Sequence, residues 1–248
     1  MTIGTFDGLH SGHRKLLFRV INQAKDADSN SIVVTFDLHP KEFLDSATST
    51  LILTTLAEKK KLISDLKPDF LVILPFAEIF NLHPEAFVED ILFRTLKIKK
   101  IIVGDDFVFG KHRLGNIDLL KNMGQKLGFE VEVMERTKNS KNFISSTLAR
   151  SLVVDGYMKT AGEILGHNYI IRGLVCETNT KTTQITLKNL NKIIPPLGLY
   201  EVKIDNSETT QNFELIKTEI KDNWQVITFK NQIFGYKIGQ EIQIEFVG

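Results

Sequence analysis

The chain has little that would staple or anchor it. Cys176 is the only cysteine among 248 residues, so no internal disulfide can form, and no CxxC pair or Cys/His cluster offers a zinc site. That usage points to a reducing cytoplasm. No apolar run approaches the ~20 residues of a membrane span, and no basic segment followed by an apolar region opens the chain, so neither a span nor a secretory signal is expected. Lys and Arg number 31 against 30 Asp and Glu, a formal charge of +1. This balance gives no general footprint for nucleic acid or an anionic membrane, so any phosphate-binding charge has to be local. There is no internal repeat and no low-complexity segment. What is present is 42% hydrophobic and 25% charged, a composition that supports a sizeable core in one large domain or two smaller ones.

Short apolar runs alternate with helical periodicity through the first two thirds of the chain. Met1 to Ile3, Ser31 to Phe36, Phe70 to Leu74, Ile101 to Gly104 and Phe129 to Met134 read as strands. Arg14 to Lys25, Ala57 to Leu66, Pro84 to Leu96 and Gly115 to Leu127 read as the helices between them. Strands that alternate with helices and are apolar on both faces imply a doubly wound α/β domain with a parallel sheet, Rossmann-like in kind. Two short helices follow, Ser145 to Val154 and Met158 to Leu165. Beyond Gly166 the texture changes to short β-rich runs broken by Asn, Gly and a Pro-Pro pair, which suggests a small antiparallel barrel. The expected domains are residues 1–167 and 168–248.

The most informative stretch is GTFDGLHSGH at Gly4 to His13, a Gly-punctuated turn between the first strand and the first helix. Backbone N–H groups at a helix N-terminus favour anions, and two imidazoles beside them, His10 and His13, can meet charge developing on a phosphate. Gly12 between them lets a nucleotide approach the backbone. In open α/β sheets ligands lie outside the carboxyl ends of the strands. Three further loops fall there: DLHP after the second strand, GDDFVFG from Gly104 to Gly110, and ISSTLAR from Ile144 to Arg150 after the last.

These four blocks, in this order, resemble the signatures of the bacterial FAD synthetase family, the adenylyltransferase half of bifunctional riboflavin kinase/FMN adenylyltransferase. The resemblance is strong from residue 1 to about Tyr169 and weak after it. It implies a nucleotidyltransferase fold and transfer of AMP from ATP to FMN, giving FAD and pyrophosphate with Mg²⁺ on the triphosphate. By this resemblance His10, His13 and Arg150 are catalytic. Gly4, Thr5, Phe6, Asp7, Gly8, Asp106, Ser145, Ser146 and Thr147 bind ATP, and His39, Pro40, Phe107 and Phe109 border the flavin. No protein ligand set for a metal is expected. Thr5 departs from the Asn common in the family, and family members carry a longer first strand than Met1 to Ile3.

Each assignment has a plainer counterpart. Asp7 also suits an ordinary turn, Asp105 and Asp106 a capped one, and Phe107 and Phe109 the core. Lys111, His112 and Arg113 read either as counter-charge to a phosphate or as a solvated face. Ser145 or Ser146 is also a natural N-cap. The C-terminal region resembles a degenerate riboflavin kinase barrel. Its closing stretch is matched by Phe229 to Phe246, but TTQITLKN at Thr182 to Asn189 stands where the kinase has PTAN, and Asn223-Trp-Gln stands near the place of its catalytic Glu. Alternatives in other classes are the bifunctional enzyme, another nucleotidyltransferase of the superfamily, and a non-enzymatic flavin or nucleotide sensor. The oligomeric state is not legible.

Overall fold

The computed structural model describes residues 1–40, 43, 51–138, 143–205, 207–230, 233 and 235–247. By compactness the chain falls into two units, residues 1–49 with 59–144, and residues 50–58 with 145–248.

In the first unit, β1 (Thr2–Ile3), β2 (Ile32–Phe36) and β3 (Phe70–Leu74) form a parallel ladder, as do β4 (Lys100–Gly104) and β5 (Glu130–Met134). Met1 joins the two ladders: its N donates to Lys100 O at 2.8 Å and its O accepts from Ile102 N at 2.9 Å. The strands therefore run in the order β3-β2-β1-β4-β5. The order in which the chain adds strands reverses between β1 and β4, the topological switch point where a ligand crevice forms in such folds. Val33, Val34, Ile101, Ile102 and Val103 are all buried, as strands covered on both faces require.

The helices of this unit include α1 (Ser11–Asp26), α2 (Leu56–Ser64), α3 (Phe76–Ile79), α4 (Pro84–Ala86) and α5 (Ile117–Leu127). Asn116 caps α5 by accepting from Leu119 N at 2.9 Å, and Gly128 ends it in the left-handed region at φ 82°. The helix expected over Pro84 to Leu96 is not uniform. After its first turn it widens into a π-helix at Phe87–Thr95, with Leu96 N bonded to Ile91 O. Phe87, Val88 and Leu92 are buried there, so core packing selects the wider winding.

The second unit holds α6 (Ser146–Val154), α7 (Met158–Leu165) and a closed barrel. Its strands are β6 (Tyr169–Thr178), β7 (Thr182–Leu187), β8 (Gly198–Ile204), β9 (Gln211–Lys221), β10 (Trp224–Lys230) and β11 (Glu241–Phe246). Every pairing is antiparallel, in the order β6-β7-β10-β9-β8-β11 and back to β6. Ile171, Ile185, Val202, Leu215, Ile227, Phe229 and Phe246 fill it. Asp222 and Asn223, at φ 50° and 63°, form the two-residue turn between β9 and β10, where a left-handed pair matches the strand twist. In the closing stretch, residues 231, 232 and 234 lie outside those described.

Residues 50–58 belong to this unit through a backbone bridge, Ile52 N to Asn191 O at 2.8 Å and Ile193 N to Ile52 O at 3.1 Å, and through a buried ion pair. Lys192 Nζ donates to Glu58 Oε2 at 2.7 Å and to Leu53 O at 2.6 Å, both charged side chains being fully buried. Its ammonium also lies 4.4 Å from the centre of the Tyr169 ring. Glu58 accepts in addition from Thr55 N and Arg172 N, so its carboxylate oxygens are satisfied.

Candidate nucleotide site

The turn after β1 is built by unusual backbone. Gly4 N makes the last ladder bond, to Val34 O at 3.1 Å, and the chain then leaves the sheet. Phe6 and Leu9 adopt φ 47° and 37° although both are bulky and buried, conformations that persist only where the surroundings enforce them. Gly8, at φ 74°, lies between them and is the residue that tolerates this region most easily. Asp7 is buried at 3% exposure, so it belongs to the interior of the turn.

His10 ends the turn and caps α1. Its Nδ1 accepts from the backbone N of His13 at 3.2 Å, which leaves Nε2 as the proton-bearing nitrogen when the ring is neutral. The two imidazoles stack, centroids 3.6 Å apart and planes within 16°, and the edge of Phe6 meets His13 at 5.2 Å. A Cβ at Gly12 would lie 3.2 Å from the His10 ring and 3.7 Å from Thr137 Cβ, so glycine keeps this corner open. Burial, and then the neighbouring His10, hold the His13 pKa well below its ordinary 6.5. His13 Nδ1 is buried without a protein hydrogen-bond partner among the described residues. His13 is thus neutral near pH 7, and an anion brought against it would favour protonation.

The loops after β2 and β4 end at the same edge of the sheet. Asp37 Oδ1 accepts from Leu38 N and Phe76 N, both at 2.8 Å, and so fixes the corner that carries His39 and Pro40, each half-buried. After β4, Asp105 is committed to Arg136, whose Nε lies 2.9 Å from its Oδ1, while Asp106 is exposed. Phe107 and Phe109 differ in kind. Phe109 is a core residue, packed against Phe87 at 5.8 Å and against Gly115, where a Cβ would come within 2.6 Å of its ring. Phe107 is half-exposed and stacks on Phe109 at 5.4 Å, so it alone of the two keeps a face toward solvent. His112 and Arg113 are exposed in a 3-10 turn.

Thr5 contributes its carbonyl, which accepts from Thr35 Oγ1 at 3.2 Å and from Lys59 Nζ at 3.3 Å. Lys59 is the residue that the sequence does not single out: in the run EKKK it reads as one more charge on a solvated helix, yet it is 6% exposed.

ISSTLAR opens the second unit's first helix. Ser145 is the N-cap of α6, its Oγ accepting from Leu148 N at 3.2 Å. Ser146 and Thr147 occupy the first turn, and Arg150, half-exposed, follows one turn after Ser146. Among the described residues, no group of three or more His, Cys, Asp or Glu is placed to hold a metal ion, and no helix is long and apolar enough to cross a membrane.

A parallel sheet with a Gly-His turn at its switch point and a capped helix behind that turn defines a nucleotide-binding α/β domain with a nucleotidyltransferase type of fold, here followed by a barrel. The family described as FAD synthetase matches residues 1–148. A bifunctional riboflavin kinase/FMN adenylyltransferase of Buchnera aphidicola subsp. Schizaphis graminum is 37% identical over 214 residues, 82% of this chain and 68% of that protein. The protein of the same name from Escherichia coli K12 is 30% identical over 210 residues, covering 82% and 67%. A crystal structure titled macrolide-efflux protein from Streptococcus pneumoniae superposes with TM-score 0.80 over 100% of this chain and 84% of that one; at 22% identity it shares the fold. The chain belongs to the FAD synthetase family.

Proposed function

We propose that the chain is an FMN adenylyltransferase. A phosphate oxygen of FMN attacks the α-phosphorus of ATP in line, the new P–O–P bond forms as the α–β phosphoanhydride breaks, and FAD and pyrophosphate leave. No covalent enzyme intermediate is required, so the protein's work is positioning and charge stabilisation. The observation that carries this reading is the stacked His10–His13 pair at the amino end of α1, in which His13 is buried and held neutral. His10 presents Nε2–H, and His13 gains a hydrogen bond or a proton as negative charge builds on the α-phosphate and departing pyrophosphate.

The turn from Gly4 to Gly8 supports the nucleotide, and the exposed Asp106 suits the adenosine moiety. His39, Pro40 and Phe107 are assigned to the flavin, with Phe109 as the floor beneath Phe107. Ser145, Ser146, Thr147 and Arg150 are assigned to the outer phosphates on the chemistry of their side chains, hydroxyl donors and a planar fork of N–H groups. Mg²⁺ bound to ATP would neutralise part of the triphosphate charge. The described residues supply no ligand set that fits the ion, so no residue is assigned to it and no step is routed through it. The reading places the enzyme in the cytoplasm, acting on ATP and FMN without nucleic-acid or membrane partners.

The relatives' name includes a riboflavin kinase, and here the barrel carries a different chemistry. Thr183 is buried and its Oγ1 accepts from Ile233 N at 2.9 Å, while Asn223 is spent in a hairpin turn. We assign this chain adenylyl transfer without the kinase step. Incubation with ATP, Mg²⁺ and FMN tests the main reading: FAD and pyrophosphate should appear together, and nucleotide binding without turnover would instead make the chain a sensor.

A further inference from the structure

We infer that Lys59 is a positioning residue of the adenylyl-transfer site, an ammonium that clamps the two strand ends from which the catalytic turn and the flavin corner spring. The inference rests on the adenylyltransferase reading given above. Lys59 Nζ donates to Phe36 O at 2.8 Å and to Thr5 O at 3.3 Å. Thr5 is the residue before the left-handed Phe6, and Phe36 is the residue before Asp37, whose carboxylate holds the DLHP corner. Both carbonyls lie past the last bond of the β1–β2 ladder, Gly4 N to Val34 O. Past Gly4 the backbone at Thr5 has no ladder bond to fix its spacing from β2, whereas Phe36 is still held in register by β3; Lys59, from a third element, α2, ties the first to the second.

Two further features separate this lysine from ordinary helix surface. It is buried at 6% exposure, whereas the adjacent Lys60 is exposed. It is also the fourth residue of α2, close to the helix's positive end, where a cation is disfavoured by the helix dipole. Neither burial nor helix stability explains an ammonium there; two carbonyl oxygens at the edge of an anion site do. Those oxygens carry partial negative charge toward the place where a polyanionic nucleotide has to sit. An ammonium bonded to both offsets that repulsion and holds the strained Phe6–Leu9 turn in its working shape, on which the height of the His10–His13 pair depends.

The test uses the full chain with ATP, Mg²⁺ and FMN. Lys59→Met keeps the length of the side chain and removes the ammonium. The expected result is a fall in kcat of roughly 30- to 100-fold, since small misplacements of catalytic groups act on the chemical step, with KM for FMN within about threefold. Lys60→Met should keep the parent's kcat within twofold. A folded Lys59→Met protein with kcat within threefold of the parent overturns the inference, as does a loss confined to KM. Should Lys59→Met fail to fold, Thr35→Val removes the other donor to Thr5 O. It should lower kcat several-fold at unchanged KM, and parental kinetics there would overturn the inference equally. If the parent itself makes no FAD, the functional reading fails and Lys59 is judged by NMR. The ring-proton resonances of His10 and His13, assigned with His10→Gln and His13→Gln, should move in Lys59→Met. Unmoved resonances sink the clamp.

Discussion

His13 donates its backbone N–H to the ring nitrogen of His10 at 3.2 Å while its own ring lies flat against that ring at 3.6 Å. The helix cap and the stacked pair are therefore one device: the bond that starts α1 also fixes which nitrogen of His10 carries the proton when the ring is neutral. Burial and the neighbouring ring hold the His13 pKa well below its ordinary value, so an anion brought against His13 would favour its protonation.

The first consequence concerns rate. His13→Ala removes a group that acts mainly as charge develops, so kcat for FAD formation should fall by about 10²-fold or more while ATP affinity changes little. Steady-state kinetics with separate ATP-binding measurements decide this. A variant that turns over within a few-fold of the parent would remove His13 from the chemistry.

The second concerns stability. The folded chain holds the His13 pKa well below 6.5, so below pH 6.5 the unfolded chain binds more protons and stability falls as the pH falls, by at most about 1.4 kcal/mol per pH unit for one group. His13→Gln should lose that part of the slope. Thermal unfolding of both proteins from pH 7.5 to 5.5 should show the curves diverging at the acid end, and parallel curves would contradict the depressed pKa.

Glu132 makes an acid-side counterpart. Burial pushes its pKa up, but hydrogen bonds from Lys100, Gln23 and Arg19 overcome this and bring it down to about 2. The stability it contributes is complete above pH 4.5 and drains away as the pH falls toward 2. Glu132→Gln should therefore narrow its deficit relative to the parent across that interval, as urea titrations at pH 5 and pH 3 would reveal.

Arg150→Lys keeps the charge and loses the planar fork of N–H groups that could grip two phosphate oxygens at once in the proposed role. Affinity should fall for ATP and much less for AMP, which lacks the outer phosphates. Calorimetry with both ligands is the check, and equal losses would assign Arg150 elsewhere.

Riboflavin with ATP and Mg²⁺ should yield no FMN, whereas FMN under the same conditions becomes FAD. Chromatography of the flavins separates the two outcomes. Phosphorylation of riboflavin by the purified chain would restore the bifunctional alternative, with Thr182, Thr183 and Glu219 the first residues to substitute.

The sheet was legible because its strands are short, β-branched and apolar on both faces, and the turns between them carry Gly, Asp and His. Strand β9 was not legible: of its eleven residues only Phe213 and Leu215 are buried, and charged and polar residues fill most of the remainder. The π-helix at Phe87–Thr95 escaped because amino-acid spacing alone does not separate windings of 3.6 and 4.4 residues over two turns. Phe107 and Phe109 share an alternation pattern in the sequence, and only packing against Phe87 and Gly115 tells them apart. Lys59 carried no signal at all, since a buried lysine and its exposed neighbours are the same letter. The helices at Ser146–Val154 and Met158–Leu165 read as a continuation of the α/β domain, and compactness groups them with the barrel.

The buried Glu58–Lys192 pair gives the chain a property that neither unit has by itself. Because residues 50–58 lie in sequence inside the first unit and in space within the second, no single cut yields two intact halves. A fragment of residues 145–248 would carry Lys192 without its carboxylate, and one ending at Ile144 would carry Glu58 without its ammonium. Each would lose the pair together with the contacts between residues 50–58 and the barrel that bury it. Gene splitting, domain exchange or limited proteolysis would need three scissions, on both sides of residues 50–58 and again before residue 145, to separate the two parts. Inheritance of the barrel is thereby tied to inheritance of the α/β unit.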